Sequence, residues 1–191
     1  ILLPEGRTRI AGSDYRGSDP WLRYLFTVTN IFPWIAPAAD AKTIEFRDHP
    51  CFQDADYFLR LAAKLPVVVL PRVLGEYHLH GVSGSANVAH RPDHARVLSQ
   101  EMAALKELFE TPDPVIRRYR ERGAYDLARA ARLVYHALSF PKIALAKTWR
   151  DALGLSADPL IVRLLLRLTA VRLEGHLPWL RRSRLAFGRR A

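Results

Sequence analysis

The sequence predicts an α/β first half followed by an all-helical extension, and three observations carry that expectation. Residues 53–65 read as a helix and lead into two apolar, β-branched runs at 67–70 and 73–77, the pattern of buried strands. From residue 92 onward, Pro and Gly cut the chain into successive helix-length segments. Charge divides in the same way: residues 1–110 hold 12 Lys+Arg against 13 Asp+Glu, whereas residues 111–191 hold 17 against 6. A boundary near residue 111 therefore separates a near-neutral α/β piece, 1–110, from a basic helical extension, 111–191.

Residues 1–18 carry Gly6, Gly12, Gly17, Ser13 and Ser18 among isolated apolar side chains and read as loop. Ser18-Asp19-Pro20 is a helix start, a capping side chain followed by Pro in the first turn, and predicts a helix over 21–29. Pro33 and Pro37 interrupt the next stretch, so 31–38 reads as a short irregular strand entering a loop that ends at Pro50. In the helix after Pro50, Phe58, Leu61, Ala62 and Leu65 recur at helical spacing, and Asp54 and Asp56 sit in the first turn, where the helix dipole favours carboxylates. Pro66 closes it. Helices are then expected at 92–110, 114–122, 124–138, 142–152, 159–173 and 178–187, with limits set by Pro112, Pro114, Gly123, Pro141, Gly154, Pro159, Gly175 and Pro178.

At 191 residues with 49% hydrophobic and 25% charged side chains, the composition is that of a globular protein and excludes a wholly disordered chain. The single cysteine, Cys51, cannot close an internal disulfide, and no Cys/His cluster has zinc-finger spacing, so a reducing cytoplasm is the expected setting. No apolar run reaches the roughly 20 residues of a membrane-spanning helix. The chain begins at Ile1 and its only Met is Met102, which fits a fragment or a processed chain. The net charge of +10 resides in the second half and should draw it to phosphates, on anionic lipid, nucleic acid or a lipid diphosphate.

Two motifs carry chemistry. Gln53-Asp54-Ala55-Asp56-Tyr57-Phe58-Leu59-Arg60-Leu61 opens the helix, and Tyr77-His78-Leu79-His80-Gly81-Val82-Ser83-Gly84-Ser85 comes after the strand-like runs. Motifs and spacing together, over residues 30–86, resemble the acceptor-side half of a family 2 glycosyltransferase. In that family a Glu-Asp-x-Asp-x-x-x-Arg-Leu helix supplies the catalytic base, and a Tyr-Arg-x-His-x-x-Ser-x-Ser segment closes over the sugar-nucleotide diphosphate. Gln53 stands here for the usual Glu and His78 for the usual Arg. The resemblance implies a GT-A fold, inverting sugar transfer from a nucleotide-sugar donor to a saccharide or lipid-linked acceptor, and a divalent metal, Mn²⁺ or Mg²⁺. It makes Asp54 the base and gives His80 the diphosphate and metal contacts, with Ser83 and Ser85 as further phosphate donors; Gln53 and Trp34 are the candidates for holding the acceptor. The family's donor-binding half, with its Asp-x-Asp, has no counterpart before residue 30, so this chain corresponds to a C-terminal portion that should be inactive alone.

Each residue also has a plainer reading. Asp54 is equally a helix-start carboxylate. Asp56, two residues on, faces elsewhere and is expected to pair with Arg60 at the four-residue spacing. His78 and His80 share one strand face and are, taken alone, surface histidines; His90 and His94 at i,i+4 are solvated. Trp21, Tyr24 and Trp34 fit sugar-stacking platforms, though aromatic residues at such positions belong more often to a core. The apolar, Arg-bearing segment 160–173, with Trp179 and Arg181, Arg182, Arg184, Arg189 and Arg190 beyond it, suits either the interface of an anionic membrane at the inner face or packing on the rest of the protein. Two rival functions stand beside sugar transfer: a nucleic-acid-binding module, for which no specific recognition motif is discernible, and a non-catalytic interaction domain, for which Gln53 argues.

Overall fold

The computed structural model describes residues 14–26, 36–47, 53–67, 94–140 and 142–176. Of these, 75% are helical, and among them there is no strand or sheet. The helices are α1 (Pro20–Leu25), α2 (Ala38–Ala41), α3 (Gln53–Lys64), α4 (His94–Glu110), α5 (Pro114–Glu121), α6 (Ala124–Ser139), α7 (Leu145–Leu155) and α8 (Pro159–His176). This all-helical architecture overturns the expected α/β GT-A fold. The runs at 67–70 and 73–77 lie, apart from residue 67, outside the described residues, as does most of 31–38, whose last residue opens α2 instead of ending a strand.

The chain forms two compact units, Ile1–Arg129 and Ala130–Ala191, and the division falls within α6. In the first unit α3 packs against α1, α4 and α5, and α4 against α5. Its core joins Trp21, Leu25 and Phe26 to Leu59 and Leu61 of α3, Leu105, Leu108 and Phe109 of α4, and Ile116 of α5. On α4 the buried Val97, Ala104, Leu105, Leu108 and Phe109 recur at the spacing of one helical face. The buried face of α3 is rotated from the expected one: Ala55, Asp56, Leu59, Arg60 and Leu61 are enclosed, while Phe58, Ala62 and Leu65 sit at its half-buried margin.

Local sequence explains the helix limits. Each of the three Asp-Pro pairs begins a helix, the carboxylate accepting two orphan backbone N–H groups or one while Pro occupies the first turn. Asp19 accepts from Trp21 N and Leu22 N at 2.9 and 3.1 Å, Asp113 from Val115 N and Ile116 N at 2.8 and 3.2 Å, and Asp158 from Leu160 N at 2.7 Å. Gly123, at φ +79°, ends α5 in the left-handed conformation that a side chain would strain. Its carbonyl also accepts from Leu127 N at 3.0 Å, so one glycine closes α5 and opens α6.

In the second unit α7 and α8 pack together. The core there comprises Ala131, Val134 and Ala137 of α6, Ala152 of α7, and Leu160, Ile161, Leu164, Leu165 and Leu168 of α8. Trp149 Nε1 donates to Thr169 Oγ1 at 3.1 Å, joining α7 to α8. Arg172 reaches the C-terminal end of α6, donating to the carbonyls of Ala137 at 2.6 Å and Phe140 at 3.1 Å. These are carbonyls that a helix end leaves without intrahelical donors, at the negative end of its dipole. Two expected stops do not act as such. Gly154 lies inside α7, which runs three residues past the expected 152 until Ser156 turns extended, and Gly175 lies inside α8. The helix expected at 178–187 is outside the described residues.

Candidate functional site

The start of α3 holds the two acidic residues singled out by sequence, and the fold gives them opposite environments. Asp56 is fully buried. Arg60, one turn on, donates to its Oδ2 from Nη2 at 2.7 Å and from Nε at 3.0 Å, the expected four-residue pair. Arg47 adds Nη1 to Oδ1 at 3.3 Å. Both guanidiniums make further contacts: Arg60 donates from Nη2 to Glu45 O at 2.7 Å, and Arg47 reaches Thr111 Oγ1 at 3.2 Å and Glu107 at 3.3 Å. Burying a carboxylate is tolerable only with such compensation, and here it ties α3 to the 36–47 segment and to the end of α4.

Asp54, two residues earlier, is exposed. Among the described residues it makes no ion pair, and it occupies the first turn, next to the half-exposed Gln53. Tyr24 is its neighbour across the α1–α3 contact: burial pushes the Tyr24 phenol well above the ordinary tyrosine range, and the negative charge of Asp54 adds to that. The Tyr24 ring also lies against that of Phe58, tilted by 32° with centroids 3.9 Å apart. Trp21 secures the same contact by donating Nε1–H to Leu59 O at 2.8 Å, and it stacks at 4.2 Å on Tyr119. The Tyr119 hydroxyl lies 3.0 and 2.9 Å from the two carboxylate oxygens of Asp19. Burial first, then that hydrogen bond and the Asp19 charge, push the Tyr119 phenol up to about 12.

The result is an exposed carboxylate on a helix that cannot readily rotate, because its next turn is clamped by a buried ion cluster. Such a group can accept a proton from a hydroxyl brought to it. The nearby cleft of about 110 Å³, lined by Thr43, Glu45, Arg60, Lys64, Thr111 and Asp113 among others, does not include Asp54 and is smaller than the roughly 300 Å³ at which small-molecule sites begin.

Of the other predicted site residues, Trp34, His80, Ser83 and Ser85 lie outside the described residues, as do His78 and His90; Gln53 and Asp54, neighbours in the chain, are the two that are described. Trp21 and Tyr24 are buried core aromatics, not exposed sugar platforms. Among the described residues no group of three or more His, Cys, Asp or Glu is placed to hold a metal ion. Arg47, the second partner of Asp56, carries no sequence signal of that role, because it comes from a loop outside any helical periodicity. No protein-family model, curated protein or solved structure matches the chain. Among the described residues no helix is long and apolar enough to cross a membrane.

Proposed function

We propose that this chain supplies the acceptor side of an inverting nucleotide-sugar glycosyltransferase, with Asp54 as the general base. One observation carries the reading: of the two acids in the Gln-Asp-Ala-Asp motif, Asp56 is consumed by Arg60 and Arg47 while Asp54 is exposed on the helix those pairs immobilise. A catalytic carboxylate needs both accessibility and a fixed position. The motif resemblance to family 2 enzymes adds the reaction class. In the step, the acceptor hydroxyl oxygen forms a bond to the anomeric carbon and its proton passes to Asp54. The bond from that carbon to the phosphate oxygen breaks, and its electron pair leaves with the nucleoside diphosphate.

The described residues offer no set of ligands for the Mn²⁺ or Mg²⁺ that the resemblance implies, and the proton transfer to Asp54 calls on none. Gln53 is the neighbouring group suited to orienting the acceptor, a saccharide or lipid-linked alcohol. The proposed setting is the cytoplasmic face of a membrane, in keeping with the basic second unit.

The test uses the whole gene product with a panel of nucleotide sugars, tracking nucleoside diphosphate release in the presence of candidate acceptors. Asp54→Asn should lower turnover by on the order of a hundredfold or more with unchanged donor affinity and unfolding midpoint. Retention of more than about a tenth of the wild-type turnover removes Asp54 from the role, since a positioned base contributes at least that much.

A further inference from the structure

Helix α8 buries one face and presents a second whose chemistry is unlike an ordinary solvated surface. Leu160, Ile161, Leu164, Leu165 and Leu168 are enclosed, whereas Leu166, Val171 and Leu173 are 56%, 46% and 48% exposed. Leu166 and Leu173 are two helical turns apart on one side of this outer face, Val171 flanks the other, and the exposed Arg163 and Arg167 run between them. An exposed face of large apolar side chains interleaved with guanidiniums matches one kind of partner closely. Apolar side chains enter the acyl boundary of a bilayer while guanidiniums pair with headgroup phosphates, and neither group is then left in an unfavourable environment. The composition of this end of the sequence agrees: residues 160–191 contain eight Arg against one acid, Glu174, and the sequence after His176 adds Trp179 and five of those Arg. A duplex nucleic acid would use the guanidiniums but leave the leucines in water.

We propose that the outer face of α8 is a docking surface for an anionic phospholipid bilayer, on which the helix lies parallel to the membrane plane. The inference stands independently of the sugar-transfer reading, because neither Asp54 nor Gln53 takes part in it.

Co-sedimentation of the full chain with vesicles of equimolar phosphatidylglycerol and phosphatidylcholine, or of phosphatidylcholine alone, tests it. Binding is expected with the anionic vesicles only, falling as salt rises. Arg163→Glu with Arg167→Glu should weaken it at least about thirtyfold, from the loss of two contacts of about 1 kcal/mol each. Leu166→Ser with Leu173→Ser should weaken it about tenfold while leaving the salt dependence unchanged, because only apolar burial is removed. Both pairs are exposed, and circular dichroism checks that each variant stays helical. The proposal is overturned if the wild-type chain remains in the supernatant with anionic vesicles at low salt. It is also overturned if neither double variant alters binding, or if the leucine pair has no effect and a DNA duplex binds as tightly as the vesicles.

Discussion

The two compact units spend their charge in different ways. Residues 1–129 are nearly balanced, with 17 Lys+Arg against 16 Asp+Glu, and acids there serve the architecture: Asp56 is buried between Arg60 and Arg47, and Asp19 caps α1 while accepting from Tyr119. Residues 130–191 hold 12 basic against 3 acidic residues. There Arg172 is met by the carbonyls ending α6, and Arg163 lies exposed. Net charge therefore says little about how a charged side chain is used. The balanced unit buries an ion cluster that fixes a helix, whereas in the unbalanced one Arg172 lies at a helix end and Arg163 on an outer face, where phosphates can reach it.

The most severe test of this contrast is to open the buried cluster. Asp56→Ala should destabilise the first unit by about 3–5 kcal/mol, the cost of leaving buried guanidinium charge without its partner. Urea denaturation monitored by Trp fluorescence measures it, and Asp56→Ala combined with Arg60→Met should recover part of the loss because one stranded charge is gone. If the single and double variants are equally unstable, the pair is not the element that holds α3.

Arg172→Met tests the corresponding device in the second unit. Hydrogen bonds to a charged group contribute about 1.5–3 kcal/mol, so a loss of that size is expected. Amide hydrogen exchange should localise it to the end of α6 and to α8, with the amides of α3 unaffected.

Asp19→Ala removes a helix cap and should cost about 1 kcal/mol. It should also let the Tyr119 phenol fall from about 12 toward the usual tyrosine value, which a tyrosinate absorbance titration reads directly. The raised pKa sets the sign of the linkage. The neutral phenol is the form favoured on folding, so its contribution is complete below about pH 10, the unfolded value, and is lost as the pH rises through about 12. In the Asp19→Ala variant that alkaline loss should shrink.

The smallest effect should come from Lys147→Ala. Lys147 and Asp151 form an exposed ion pair one turn apart on α7, which lowers the Asp151 pKa, but a solvent-screened pair of this kind leaves the unfolding midpoint unchanged within measurement error. A clear shift there would mean that surface charge in the second unit also holds the fold, and the contrast between the units would narrow.

Much of the helical organisation was legible from residues 92 onward because its signals are local. Asp-Pro starts, the Gly123 turn and the spacing of Val97, Ala104, Leu105, Leu108 and Phe109 each involve neighbours within a turn or two of helix, and backbone geometry alone interprets them. The Asp56–Arg60 pair and the opposed directions of Asp54 and Asp56 were legible for the same reason, since 100° per residue decides both. Glycine was a weaker guide: Gly154 and Gly175 cost a helix little near its end and did not stop α7 or α8. The α/β expectation failed on fold class because apolar, β-branched runs signal burial without specifying a partner strand, and the described residues bury their apolar surface helix against helix. Contacts that span sequence distance were settled by packing alone. Arg47 joins Asp56 from a loop, Tyr119 reaches Asp19 across 100 residues, and the buried face of α3 turns toward Asp56 and Arg60 instead of Phe58 and Leu65. No local rule selects such partners, because the free energy of burying a charge depends on which distant groups the packed chain brings beside it.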